Sequence, residues 1–164
     1  VGLILHAGDV SSEAVLQELE QVAPVKAAFG NRDWALSERI PWVNYLEQGG
    51  VRLALMHGHG SWWHYFWDKW AYVAQGYRLE RYARLVVSAA PEADVIVFGH
   101  THRAENVRMG ECLIFNPGSA SRGFRRSELP SYGILELDGA GGARGQIIKL
   151  EGYQVVGGKW LRIS

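Results

Sequence analysis

The chain has 164 residues, 48% of them apolar and 21% charged, which suffices for one domain with a proper core. Seventeen Lys and Arg balance seventeen Asp and Glu, so no basic groove for nucleic acid and no acidic tail is expected. The single cysteine, Cys112, excludes an internal disulfide framework and fits a reducing, cytoplasmic setting. Beside Leu113-Ile114-Phe115 it reads as an apolar side chain.

No run of ~20 apolar residues offers a membrane span, and no charged start followed by an apolar run reads as a signal peptide. Residues 1–6 read as a short buried strand running into Ala7-Gly8-Asp9. A carboxylate after a buried strand and a glycine takes the place of site residues at the carboxyl edge of an open α/β sheet. It could also cap the next helix, but Ser11 and Ser12 compete for that task, and Asp9 is read as a ligand. His6 is read as structural. Ala14, Val15, Leu19 and Val22 recur at helical spacing over 12–22, and Pro24 ends that helix. A strand over 25–29 then delivers Gly30-Asn31-Arg32-Asp33, where the Asn31 amide oxygen can serve as a neutral metal ligand. Strand–helix–strand alternation predicts parallel pairing.

Residues 34–50, with Pro41 and Gly49-Gly50, are expected to be irregular. Residues 51–56 alternate as a strand and deliver His57-Gly58-His59-Gly60. The stretch 61–76 carries Trp63, Phe66, Trp67, Trp70 and Val73 at amphipathic-helix spacing. It reads as an apolar face packed on the core or on a second copy of the chain, as an aromatic cover over a site, or as a membrane-surface contact. A helix over 78–90 buries Leu79, Tyr82, Leu85, Val86 and Ala89 and stops at Pro91. The β-branched and aromatic run 95–98 is the central strand and ends in Gly99-His100-Thr101-His102. Two imidazoles at i and i+2 past a strand end can both reach one point, and imidazole is the commonest metal ligand among side chains.

A strand over 113–115 ends in Asn116-Pro117-Gly118-Ser119, expected to hold backbone groups beside the site. Ser119 has no adjacent base in sequence, so a serine-hydrolase reading is poor. Arg122 either binds an anion bidentately or belongs to a solvated basic loop with Arg125 and Arg126. Strands over 131–137 and 144–150, joined by the glycine-rich turn 138–142, predict a second, more antiparallel sheet. Residues 151–164 read as a frayed or partly paired tail. Nothing in the pattern divides 1–164 into more than one domain.

Five motifs stand in order, each after an apolar run: Gly8-Asp9, Gly30-Asn31-(x)-Asp33, His57-Gly58-His59, Gly99-His100-(x)-His102 and Asn116-Pro117-Gly118-Ser119. Each alone is weak. Together, across roughly residues 1–137, they resemble the calcineurin-like metallophosphoesterase superfamily and, within it, the YfcE-type phosphodiesterase branch. The resemblance implies a four-layer α/β sandwich of two mixed sheets flanked by helices. It implies two divalent metal ions, manganese first and iron, zinc or nickel as alternatives, and a small phosphate-ester substrate. By position, Asp9 would bridge both metals, Asn31, His57 and His100 would hold one, and His102 would help hold the other. Cations ~3.5–4 Å apart would lower the pKa of a shared water, which attacks phosphorus in line. Arg32, His59 and Arg122 are the candidates to touch substrate.

The family also begins with Asp-x-His after its first strand, and no Asp-x-His occurs in this sequence. The expectation is that the family's first strand and helix, on the order of 25 residues, precede Val1 in the full protein. Arg32 stands where many relatives have histidine. The alternative expectation is a catalytically inactive scaffold or binding protein on the same fold, with the Trp-rich stretch 62–72 as its partner surface.

Overall fold

The computed structural model of the chain describes residues 1–60, 76–121, 128–156 and 159–162. In chain order the elements are β1 (Ile4–His6), α1 (Glu13–Glu20), β2 (Val25–Ala27), a 3-10 turn (Trp34–Leu36), β3 (Val43–Gln48), β4 (Val51–Met56), α2 (Leu79–Ala89), β5 (Val95–Phe98), β6 (Ala104–Met109), β7 (Cys112–Pro117), β8 (Ser131–Leu137), β9 (Ala143–Lys149), β10 (Tyr153–Val156) and β11 (Lys159–Arg162).

The runs of Val, Ile, Leu and Phe at β4, β5 and β7 form the middle of a five-stranded sheet ordered β3-β4-β5-β7-β6. β4, β5 and β7 pair in parallel, and β3 and β6 close the two edges antiparallel. Because side chains alternate across a strand, this sheet feeds two cores. Ala54, Met56, Ile96, Phe98 and Ile114 point to one face, where α2 covers them with Tyr82, Ala83, Val86 and Ala90. Leu53, Leu55, Val95, Val97, Leu113 and Phe115 point to the other. There they meet Leu5 from β1 and Ala7 just after it, Leu135 and Leu137 from β8, and Ala143 and Ile147 from β9. The parallel β1–β2 pair and the antiparallel β8–β9 pair therefore form the second β layer. α1 lies outside β1–β2, with Leu16 packed on Phe29, Leu36 and Ile40. The sequence of layers, α2, sheet, second β layer, α1, is the expected four-layer sandwich.

Several readings of the sequence need correction. Residues 34–50 are not irregular throughout, because β3 pairs with β4 over six residues and Asn44 Nδ2 donates to Ala27 O at 2.5 Å. β6 was not expected at all; it is an edge strand whose side chains are mostly exposed, so it lacks an apolar stripe. The inner face of α1 is Leu16 and Leu19, while Ala14, Val15 and Val22 face solvent. On α2, Ala89 is exposed and Ala83 takes its place. Part of the tail, β10–β11, is a regular antiparallel ladder. The aromatic stretch 61–75 and Arg122 to Ser127 lie outside the described residues.

Candidate metal centre

Four strands deliver their carboxyl ends to one place: β1 into Asp9, β2 into Asn31, β4 into His57 and β5 into His100. His57 is buried, and its Nδ1–H donates to Ala7 O at 2.7 Å. That bond fixes the tautomer, so Nε2 presents a lone pair. Around Nε2 stand Asn31 Oδ1 at 3.1 Å, His100 Nδ1 at 3.3 Å and Asp9 Oδ1 at 3.6 Å. A lone pair facing an amide oxygen and a carboxylate oxygen has no proton to share with either, and the arrangement asks for a cation. The Asn31 and His100 spacings agree, and Asp9 stands slightly wider: ligands about 2.1 Å from a common ion stand about 3.0–3.4 Å from one another in octahedral or tetrahedral geometry. Among the described residues no three His, Cys, Asp or Glu side chains form a ready-made cage by themselves, and the convergence is completed by the Asn31 amide.

The local backbone is bent to reach this arrangement. Asp9, Ser11, His100 and His102 have φ between 56° and 69°, in the left-handed region that side chains other than glycine avoid. Gly8 also has positive φ, and a Cβ there would lie 2.5 Å from His57 Nδ1. A Cβ on Gly30 would strike the Asp9 backbone nitrogen. Helix α1 takes Ser12, not Asp9, as its N-cap, which leaves the Asp9 carboxylate for the site. Asp9 Oδ1 instead accepts the Arg32 backbone N–H at 3.0 Å.

Behind Asp9, Asn31, His57 and His100 sit two buried polar side chains. Asp33, 1% exposed, accepts from Ser11 N at 2.8 Å and from Gly30 N at 2.9 Å. Asn116 donates from Nδ2 to Gly99 O and to Thr101 Oγ1 while its Oδ1 accepts from Gly118 N, and so holds the turn that carries His100 and His102. This is the backbone-holding role expected of the Asn116-Pro117-Gly118 motif. Asp33 was legible as part of a motif but not in its role, because its partners lie up to 22 residues away in the chain.

Burial, outweighing the nearby Asp9 carboxylate, holds His57 below the ordinary histidine pKa. Burial and the neighbouring His57 push His59 down to about 4. Neutral imidazole is the form that ligates a metal. His59 is 4% exposed, its two ring nitrogens have no hydrogen-bond partner among the described residues, and its ring lies 5.2 Å from that of His57. Its ring stacks at 5.0 Å on Trp42, a half-exposed indole for which the sequence offered no role. His102 is half-buried, two residues beyond His100 on the same turn. Arg32 is exposed, with Nε 3.7 Å from Asp9 Oδ2 at the mouth of the site.

Residues 1–140 match the family model of the calcineurin-like phosphoesterase superfamily domain. The chain belongs to that superfamily. A probable metallophosphoesterase of Methanothermobacter thermautotrophicus is 33% identical over 139 residues, 85% of this chain and 71% of that protein. A phosphodiesterase of Methanocaldococcus jannaschii is 23% identical over 139 residues, 84% of this chain and 78% of its own length. Among solved structures, an archaeal phosphodiesterase superposes with a TM-score of 0.59 at 20% identity, covering 90% of this chain and 84% of the other. The zinc complex of Vps29 from Entamoeba histolytica gives 0.66 at 18% identity, covering 91% and 82%. At such identities these two establish the shared phosphoesterase fold alone. As a calcineurin-like phosphoesterase, the chain is of a class of hydrolases that act on phosphoric esters.

Proposed function

We propose that this phosphoesterase is a metal-dependent phosphodiesterase of small phosphate esters. The observation that carries the reading is the convergence of Asn31 Oδ1, Asp9 Oδ1 and His100 Nδ1 on the unprotonated Nε2 of His57. In this reading Asp9, Asn31, His57 and His100 hold one divalent cation, and Asp9 and His102 reach toward a second. When bound, such a pair supplies Lewis-acid charge to the phosphoryl oxygens and acidifies a water. Mixed carboxylate, amide and imidazole donors suit manganese, iron or zinc better than calcium, and manganese is the metal proposed.

The chain's own groups do the rest. Asp9 is aimed by the Arg32 N–H at Oδ1, and its Oδ2, 3.7 Å from the Arg32 Nε, is the oxygen proposed for the second ion. The exposed Arg32 guanidinium neutralises phosphate charge at the mouth. His59, buried beside His57 and held neutral, adds no charge to repel the cations and is the further candidate to lie against the substrate. Arg122, a sequence candidate for the same anion, lies outside the described residues. Cys112 takes no part: burial raises its thiol pKa and keeps it protonated.

The test is manganese-stimulated release of p-nitrophenol from bis(p-nitrophenyl) phosphate, run beside the monoester. Hydrolysis of the diester that EDTA abolishes and Mn2+ restores is the expected result. No turnover of either ester in a protein shown by elemental analysis to carry metal overturns the reading.

A further inference from the structure

We infer that Asp33 is a positioning residue that clasps the two ligand-bearing turns together and sets the Asp9–Asn31 spacing of the proposed metal centre. The inference rests on that centre but is carried by a different set of atoms. Asp33 follows β2, yet its Oδ1 accepts the N–H of Ser11 in the turn after β1, while its Oδ2 accepts the N–H of Gly30 in its own turn. The Asp9 carboxylate makes the reverse bond, accepting Arg32 N from the β2 turn. Each turn therefore presents a carboxylate to the other's backbone. The two turns meet as closely as glycine allows, since any Cβ on Gly30 would collide with the Asp9 backbone.

The clasp has something to hold. Asp9 and Ser11 both sit at positive φ, a conformation that strains any residue but glycine. Left alone, this stretch would relax toward ordinary backbone and swing the Asp9 carboxylate away from Asn31 and His57. A carboxylate buried to 1% exposure with both oxygens committed to N–H donors is a strong counterweight. The Asp33 carboxylate bonds to backbone N–H groups of Ser11 and Gly30 rather than to a proposed ligand atom, so its effect on chemistry runs through Asp9.

Asp33→Asn tests this, because the amide keeps the shape but loses one acceptor. In the metal-free protein, amide exchange at Ser11 and Gly30 should accelerate. Mn2+ affinity, read by titration calorimetry, should fall about 10–100-fold, the usual cost of losing a group that orients a metal ligand. The kcat for bis(p-nitrophenyl) phosphate should fall in parallel, with KM little changed. Ser11→Gly in the Asp33→Asn background should recover part of the Mn2+ affinity, since glycine adopts positive φ without strain. It also supplies a more stable variant if Asp33→Asn melts too low to assay.

Wild-type exchange at Ser11 and Gly30, or wild-type Mn2+ affinity with only a lowered Tm, overturns the inference. A wild-type protein that takes up no Mn2+ overturns the metal centre instead, and the exchange measurement then decides the clasp alone.

Discussion

The two ends of the parallel strands are built on opposite principles. At the amino ends of β4 and β5, Arg52 and Asp94 meet in an open, bidentate pair with every contact satisfied and Glu92 beside it. At the carboxyl ends of β1, β2, β4 and β5, polar groups are buried, lone pairs face one another and the His59 ring nitrogens find no hydrogen-bond partner among the described residues. The described non-glycine residues with positive φ, Asp9, Ser11, His100 and His102, all belong to this second end. A fold gains nothing in stability from strained and unsatisfied groups, and their concentration in one place marks where the chain is shaped for a ligand.

The largest expected effect separates the two ends by activity. Asp9→Ala should cost on the order of a thousandfold in kcat/KM, about 4 kcal/mol of transition-state stabilisation, with the far-UV spectrum unchanged. Asp9 carries the Arg32 N–H bond and faces the His57 lone pair, so its loss breaks the proposed ligand set and leaves the cores of β4, β5 and β7 intact. A metal-free variant that melts far below wild type would instead make Asp9 structural and blur the contrast between the ends.

A smaller change should move stability and activity apart. Ser11 is exposed at φ 69°, and its hydroxyl makes only a long 3.4 Å contact with Asp9 O. Ser11→Gly removes left-handed strain of about 1–2 kcal/mol against an entropic cost of roughly 0.5–1 kcal/mol. The net should be a Tm higher by about 2–4 °C per kcal/mol gained, at near wild-type turnover, because the N–H that Asp33 accepts is kept. A fall in Tm on thermal scanning would show that the positive φ at Ser11 carries no strain to release.

Much of this contrast was open to the sequence, and the reason is that buried parallel strands write themselves plainly. The runs 51–56 and 95–98 point to both cores through their alternation, and whatever follows them must lie at the carboxyl edge. Hence His57 and His100 could be brought together before any coordinates. The edges are another matter. β3 and β6 bury few side chains, so Glu47, Gln48 and Glu105 hide the strand signal; a hairpin turn at Gly49-Gly50 or at Gly110 is their only mark. The Asp33 clasp was illegible for a different reason. Its bond to Ser11 spans 22 residues, and nothing in local spacing announces a hydrogen bond that exists only once two turns are folded against each other. The Trp42–His59 stack is likewise tertiary, since Trp42 precedes an edge strand the sequence did not show.

The smallest effect belongs to the amino end, and it sharpens the comparison by being small. The Arg52 side chain donates to Asp94 through Nη2 at 2.7 Å and Nε at 3.1 Å, and Arg52 N adds a third bond at 2.9 Å. These bonds hold the Asp94 carboxyl down to about 2. A depressed folded-state pKa means that the stabilisation is present above the unfolded carboxyl value and is lost as pH falls through about 2. Between pH 5 and 8 the contribution is therefore constant, so Asp94→Asn should lower Tm by the same amount across that window. The pair is open to water and screened by salt, which keeps that amount near the noise of a melt despite three good bonds. Hydrolysis should be untouched, because the pair sits at the opposite end of β4 and β5 from His57 and His100. A loss of turnover in Asp94→Asn at unchanged Tm would mean that the two ends communicate along the strands, and the division drawn between them would have to be abandoned.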